Sequence, residues 1–582
     1  MLTSRYLCAT LVHVRHLKNF TIWTLAGEFF QLGMLYLWIS RSNGFNYGTN
    51  DDAIISSIAS GQLTGSPDPH WIFIQPILSV PLTWLQTLNL NINIYSLFLL
   101  IFTTLCFSAI LGLVAINTHR RNLTIIIIFW ILTTLTFVSW FAMAPTYTGA
   151  SIYAVTVSLV ASTFIYLTND KTILMLSSIL LSISLVMAFA IRQESLYIFV
   201  ALLTPLFVIF HLRSKNFSKL KFLLSPIVLL FIIFLLNNQV EKLTYNQVEW
   251  SDYLSTNSLR HQIQFRAPER LLESNYKDFN WDSATFTQFK NFTLADSSVM
   301  NKSELKEILE KNSTNELSEI IQKFSFENYI GALKFAFQNA TWIIYLLAFQ
   351  LFIFLIILIK EKITLSYLWI YFVFIFSITF LIYILSINYH VPERITVSIL
   401  GLSSLMLTAL LGLNLNQKPS ISLIYIFLPL VLFFSFLYLN RFYVELLARQ
   451  GLYEDRIKIS QEQSKTLSNL NDEIVVISGA SSLRFDWTNP YKPFRSIDPR
   501  GKTLILGWHN LSPAWNESAK ALGLNHRDIY STFPSDNILW ASQDDSKDDI
   551  LYFINTRNNS TFQIIKFSEL GTIEYGLYKI SN

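Results

Sequence analysis

Ile94-Tyr-Ser-Leu-Phe-Leu-Leu-Ile-Phe-Thr-Thr-Leu-Cys-Phe-Ser-Ala-Ile-Leu-Gly-Leu-Val-Ala-Ile116 runs for 23 residues without a charged side chain. A helix rises 1.5 Å per residue and bilayer hydrocarbon is about 30 Å thick, so about 20 apolar residues cross it. In lipid every backbone polar group has to be satisfied internally, which a helix does on its own. The stretch therefore predicts a transmembrane helix. Ten further runs read the same way, giving eleven predicted spans at 20–40, 94–116, 124–141, 151–167, 172–191, 196–212, 222–236, 341–359, 365–387, 395–413 and 421–439. The first is too long for a signal-peptide core, and no small-residue cleavage site follows it.

Composition agrees. Of 582 residues, 52% are hydrophobic and 14% charged, against about 25% charged in a soluble domain. Mean hydropathy is +0.40. These values exclude a soluble enzyme, a disordered scaffold and a disulfide-stapled secreted domain, since the cysteines are only Cys8 and Cys106. The net charge of +4 is small for the length and fits loop lysines of a membrane protein. No nucleic-acid partner is expected.

Basic residues in short loops set the orientation. With the amino terminus inside, the inner segments carry Arg5, Arg15, Lys18, Arg120, Arg121, Lys171, Arg213, Lys215, Lys219, Lys221, Lys360, Lys362 and Lys418. The short outer loops carry only Arg192 and Arg394, beside Glu194 and Glu393. An odd number of spans puts the carboxyl terminus outside. The expected organisation is mainly α: a polytopic membrane bundle over 1–440, with an outer loop at 41–93 and an outer helical subdomain at 237–340. A small exterior α/β domain follows over 441–582. The expected location is an inner (plasma) membrane.

The outer loop contains two helical stretches, one starting at Ala53 and one around Pro76 and Pro81. Both read as helices lying on the membrane surface, with Trp71 and Trp84 suited to the interface. In 237–340, Tyr253, Trp281, Phe286 and Phe289 supply apolar mass for a packed subdomain. The tail alternates elements. Strands are expected at 473–478, 503–508, 550–554, 562–567 and 575–580, and a helix from Pro513 with Ser512 as its cap. It has no Gly-rich phosphate loop and no nucleophile elbow, which points to binding or packing.

The sharpest chemical feature is Asp51-Asp52, beyond the first span on the exterior face. One reading is a helix cap: Asn50, Asp51 or Asp52 would begin the helix at Ala53, where acids are favoured. The other is a carboxylate that deprotonates an acceptor hydroxyl. Arg192-Gln-Glu194 and His390-Val-Pro-Glu-Arg394 join spans on the same face. Arginine grips phosphate with a planar fork, although the same residues also suit plain interfacial ion pairs. Asp68 and His70 either line the same cavity or form an ordinary turn. Scattered histidines give no metal-ligand spacing. No cofactor is expected; a divalent ion would draw on Asp51, Asp52 and Asp68. Glu28, inside the first span, calls for a polar partner there.

An early acidic pair in a long outer loop, two short helices after it and an exterior carboxyl-terminal domain resemble the GT-C superfamily. These are polytopic glycosyltransferases that use lipid-phosphate sugar donors on the outer face. The family's acid falls on Asp51 and Asp52. The resemblance implies a lipid-linked sugar as donor, a glycan, lipid or protein as acceptor, and the bilayer as surroundings. Asp51 or Asp52 would be the base, with Arg192 and Arg394 on the phosphate. A transporter or flippase, a polysaccharide polymerase component and a non-enzymatic scaffold remain alternatives. Asn50-Asp-Asp-Ala53, Pro67-Asp-Pro-His70, Pro145-Thr-Tyr-Thr148, Ile191-Arg-Gln-Glu194 and Gly507-Trp-His-Asn-Leu-Ser-Pro513 also resemble a group of large bacterial inner-membrane proteins that carries no established activity.

Overall fold

The computed structural model describes residues 2–88, 92–118, 123–214, 219–266, 281–311, 325–338, 343, 345–348, 350–352, 366–388, 393–414, 422–478, 489–491, 500–533, 535–543, 547–570 and 572–581. The chain is mainly helical. α1 (Leu2–Arg41) leads to two short helices, α2 (Asn50–Ala59) and α3 (Pro76–Thr87). Six longer ones follow: α4 (Ile94–Asn117), α5 (Leu123–Met143), α6 (Tyr147–Leu167), α7 (Lys171–Ile191), α8 (Ser195–Ser214) and α9 (Leu220–Thr244). Among the described residues, eight helices are long and apolar enough to cross a membrane: α1, α4, α5, α6, α7, α9, α14 (Ser366–Asn388) and α15 (Glu393–Asn414). α8 is apolar over a shorter length, Ser195–Ile209. The expected span at 341–359 falls largely outside the described residues. The one at 421–439 lies within α16 (Ser422–Ser468), which continues through the expected domain boundary at 440.

α6 sits at the centre, with its small residues Gly149, Ala150, Ser151, Ala154, Ser158 and Ala161 letting neighbours approach. α1 and α9 lie at the edge and expose Phe29, Ile232 and Phe231. α1 is nonetheless tightly seated: a Cβ added at Gly112 of α4 would collide with Thr24 Oγ1 and the Phe20 carbonyl. Glu28 accepts from Thr104 Oγ1 at 2.7 Å and Ser108 Oγ at 3.0 Å. Gln31 Nε2 donates to Ser108 Oγ at 2.6 Å. The acid in the first helix is thus hydrogen-bonded across to α4.

The loop connections sort to two ends. At one end, Asn46 N donates to Met143 O, Gly48 N to Pro145 O and Gln75 N to Ala190 O. Tyr491 Oη reaches Ala142 O at 2.7 Å. At the other, Lys219 Nζ donates to Tyr166 O at 2.8 Å, near Asp170 and Lys171 at the start of α7.

Several expectations are corrected. α2 begins at Asn50, and its cap is Thr49, not one of the acids. Nor does α2 lie on a surface: Ala53, Ile54, Ile55 and Ile58 are buried in the main core, as is Trp71. Trp84 is exposed as expected. The segment after α9, expected as an outer helical subdomain, packs against the tail. It contains α10 (Val248–Arg266), α11 (Ser283–Lys290), α12 (Lys302–Lys311) and α13 (Phe326–Gln338). Trp281, Phe286, Phe289 and Leu305 share one core with Trp515, Tyr530 and Trp540 of the tail. Arg557 pairs with the buried Asp296 across this join, and Tyr530 Oη donates to the Thr293 carbonyl.

The tail is a five-stranded mixed sheet of order β2-β1-β3-β5-β4. β1 (Ile474–Ile477), β2 (Thr503–Ile505) and β3 (Ile538–Gln543) are parallel, and β5 (Thr572–Ser581) and β4 (Gln563–Leu570) close it antiparallel. Ser512 caps α17 (Pro513–Ala521) as expected, accepting from Trp515 N. The strand expected at 550–554 is instead helix α18 (Lys547–Asn558). Ile550, Phe553 and Ile554 have helical spacing and are buried, with Asp548 and Asp549 favouring the first turn. The central strand β3 was not foreseen.

Candidate functional site

The site is built where α2 abuts α4 and α6. Thr49 Oγ1 accepts from Asp52 N at 3.1 Å and donates to Asp52 Oδ2 at 2.6 Å, so the N-cap hydroxyl binds both the amide and the side chain of the third helical residue. Asp52 Oδ1 then accepts from Tyr95 Oη of α4 at 2.6 Å and from the Tyr147 amide at the start of α6 at 2.8 Å. Asp52 is 0% exposed. Burial pushes its carboxyl up to about 6, against the lowering pull of Thr49, Tyr95, the Tyr147 amide and the charge of Arg394. Both its oxygens are occupied. It works as a knot joining three helices.

Asp51 is different. It is only partly buried, and among the described residues its carboxylate has no hydrogen bond or ion pair. Burial pushes it above the ordinary carboxylate range, while the charges of Arg394 and Arg192 pull it back. The two arginines are 202 positions apart in sequence, yet both act on this one side chain.

Arg192 is fixed just beyond the end of α7. Its guanidinium donates to Thr148 Oγ1 and sits 5.3 Å from the Tyr147 ring centroid. Its Nε lies 3.5 Å from the exposed Glu194 carboxylate, a surface pair of small energetic weight. Arg394 stands in the first turn of α15, and its Nε is buried with no partner among the described residues. A guanidinium N–H withheld from water without an acceptor is costly, so the group is suited to receive an anion. His390 lies outside the described residues.

Asp68 and His70 form a clamp in the same loop. Asp68 Oδ1 accepts from His70 N at 2.8 Å and lies 2.5 Å from its Nδ1. His70 Nε2 is 2.9 Å from the Thr244 carbonyl, and the ring stacks on Trp250 at 4.2 Å. These contacts hold the loop to α9 and α10.

The tail closes over the same end. Phe73 stacks parallel on Tyr147 at 5.9 Å, and Trp508 of the tail packs on Phe73 at 4.9 Å. Ser518 Oγ donates to Leu63 O at 2.6 Å. Sequence reasoning named Asp51, Asp52, Arg192 and Arg394 but not Tyr95, Tyr147, Thr148 or Trp508. Three of them lie in the stretches Pro145-Thr-Tyr-Thr148 and Gly507-Trp508. Among the described residues no three His, Cys, Asp or Glu side chains gather as a metal site.

Fold and site together define a multi-helix chain whose apolar helices are of membrane-crossing length, with an acid and two arginines at one end of the bundle. Neither a protein-family model nor a curated protein matches this chain.

Proposed function

We propose that the chain is an integral-membrane glycosyltransferase of the GT-C kind, taking its sugar from a polyprenyl phosphate at the outer face of the membrane. The observation that carries this reading is the partly exposed Asp51 carboxylate, unpartnered among the described residues, under the charges of both Arg192 and Arg394. Asp51 takes the proton of an acceptor hydroxyl. The acceptor oxygen bonds to the anomeric carbon as that carbon's bond to the phosphate oxygen breaks. The electron pair leaves on the polyprenyl phosphate, which Arg192 and Arg394 hold. A carboxyl raised by burial is a better base than an exposed one, and the charges of the two arginines favour its ionised form. Asp52 positions Asp51 by fixing the first turn of α2.

In this reading about eleven spans cross an inner membrane, with the amino terminus inside and the tail outside. The acceptor is a glycan, lipid or protein of the cell envelope. The test is turnover. Purified chain incubated with polyprenyl-phosphate hexose and envelope acceptors should release polyprenyl phosphate, and Asp51→Asn should stop the release. Equal release by both proteins sinks the assignment.

A further inference from the structure

The loop at 507–512 carries three buried polar atoms that the fold does not satisfy. Trp508 Nε1 and both ring nitrogens of His509 have no hydrogen-bond partner among the described residues. His509 is 1% exposed and Trp508 only slightly more. The rings are neighbours, 5.7 Å apart.

The same loop is held by hydrogen bonds from both its backbone and Asn510. Gly507 N donates to Asn510 Oδ1 at 2.7 Å, and Asn510 Nδ2 donates to the Phe292 and Leu294 carbonyls at 3.2 and 3.3 Å. The Trp508 carbonyl accepts from Tyr253 Oη at 3.1 Å and from the Arg260 guanidinium. Two distant segments thus hold the loop rigidly while its side-chain nitrogens stay idle. Orphaned buried groups of this kind are rare and call for an explanation.

Resting on the glycosyl-transfer reading, we propose that Trp508 and His509 form the sugar-binding subsite, receiving hydroxyl groups of the hexose while Arg192 and Arg394 hold the phosphate. The chemistry of the three atoms selects this ligand. Indole N–H only donates, and a neutral imidazole offers one donor and one acceptor. Burial and the charge of Arg260 push His509 down to about 3, so the ring is neutral and does not attract an anion. Hydroxyls are neutral groups that both donate and accept. Phe73 lies against Trp508 and, through Tyr147, leads to Arg192 in two ring contacts and one cation contact. One chain of ring contacts therefore joins the subsite to the phosphate end.

The test is binding by the full chain in a detergent that contains no sugar. The probes are polyprenyl phosphate alone and the same lipid carrying glucose, mannose or galactose on the phosphate. Wild type should prefer at least one glycosylated lipid. Trp508→Phe keeps the ring and removes the N–H; His509→Leu removes both nitrogens. Each should weaken the glycosylated lipid about 10-fold and leave the bare lipid within about 2-fold. His509→Gln, which keeps polar atoms, should recover part of the loss and guards against misfolding. Variants that keep the full wild-type preference overturn the subsite, and so does a wild type without preference, in which case water fills the position. If wild type binds neither lipid, the glycosyl-transfer reading fails and takes the subsite with it.

Discussion

Tyr95 Oη donates to Asp52 Oδ1 at 2.6 Å, tying the first turn of α4 to the first turn of α2. With Thr49 and the Tyr147 amide it fills three of the four lone-pair directions of Asp52, while Asp51, one residue before it, has no partner among the described residues. Two adjacent acids therefore differ in what a substitution would do.

Asp51→Asn should abolish transfer, by roughly 10²–10⁴-fold, with thermal unfolding unchanged. Asp52→Asn should fold. Its amide oxygen accepts from Tyr95 and the Tyr147 amide, and its NH2 donates to Thr49 Oγ1. Asp52→Ala strands three donors and should cost about 3–5 kcal/mol. Unfolding midpoints and turnover of the three variants decide the matter. An active Asp51→Asn variant would make both acids structural.

Asp52 also makes stability depend on pH. Its carboxyl rises from 3.8 to about 6 on folding because burial disfavours the charge. Between those values the folded chain holds a proton that the unfolded chain has released, so stability falls as pH rises through about 4 to 6. The full effect is on the order of 3 kcal/mol. Wild type should lose thermal stability across that window, and Asp52→Asn should lose less. Parallel curves for the two proteins would show that Asp52 stays ionised.

The apolar helices were legible because a run of about 20 uncharged residues has few other physical explanations. The acidic pair was legible too. Which acid is free was not, because that depends on Tyr95 and Tyr147, 43 and 95 positions further along the chain. Ile550-Leu-Tyr-Phe-Ile554 was misread because five consecutive apolar residues show no period, so a strand and a helix look alike over that length. The shared core of the middle segment and the tail joins residues such as Phe289 and Trp540, and nothing local marks such a pairing.

The clamp at His70 should be separable into stacking and hydrogen bonding. His70→Phe retains the face against Trp250 and loses the contacts with the Thr244 carbonyl and the Asp68 carboxylate, at a cost of about 1–3 kcal/mol. His70→Ala should lose a further 0.5–1.5 kcal/mol or so with the stack. Thermal unfolding of both variants measures the split, and equal midpoints would mean the stack contributes nothing.

Sidedness is open to fusion reporters. A periplasmic phosphatase joined after Asn582 should be active and one joined after Arg121 inactive. The charge pattern at Lys219 and Lys221, on the end opposite Asp51, is the reason. The reverse pattern would put Asp51 on the cytoplasmic side and remove the lipid-phosphate donor from consideration.

Arg394 gives the sharpest test of the phosphate clamp. Its Nε is buried with no partner among the described residues. Arg192, by contrast, is held by Thr148 and lies over Tyr147. Arg394→Lys keeps the positive charge beside Asp51 but loses the planar fork, and the two cations are not interchangeable at a bidentate site. A charged hydrogen bond contributes about 1.5–3 kcal/mol, so Arg394→Lys should weaken binding of bare polyprenyl phosphate by about 10- to 100-fold. Arg394→Gln should weaken it at least as much. Neither change should lower the unfolding midpoint, because no bond within the described fold is broken. Arg192→Lys should lower both affinity and midpoint, since the Thr148 contact goes with the guanidinium. If Arg394→Gln binds the lipid as tightly as wild type, Arg394 does not touch the phosphate, and its effect on Asp51 is that of a distant charge alone.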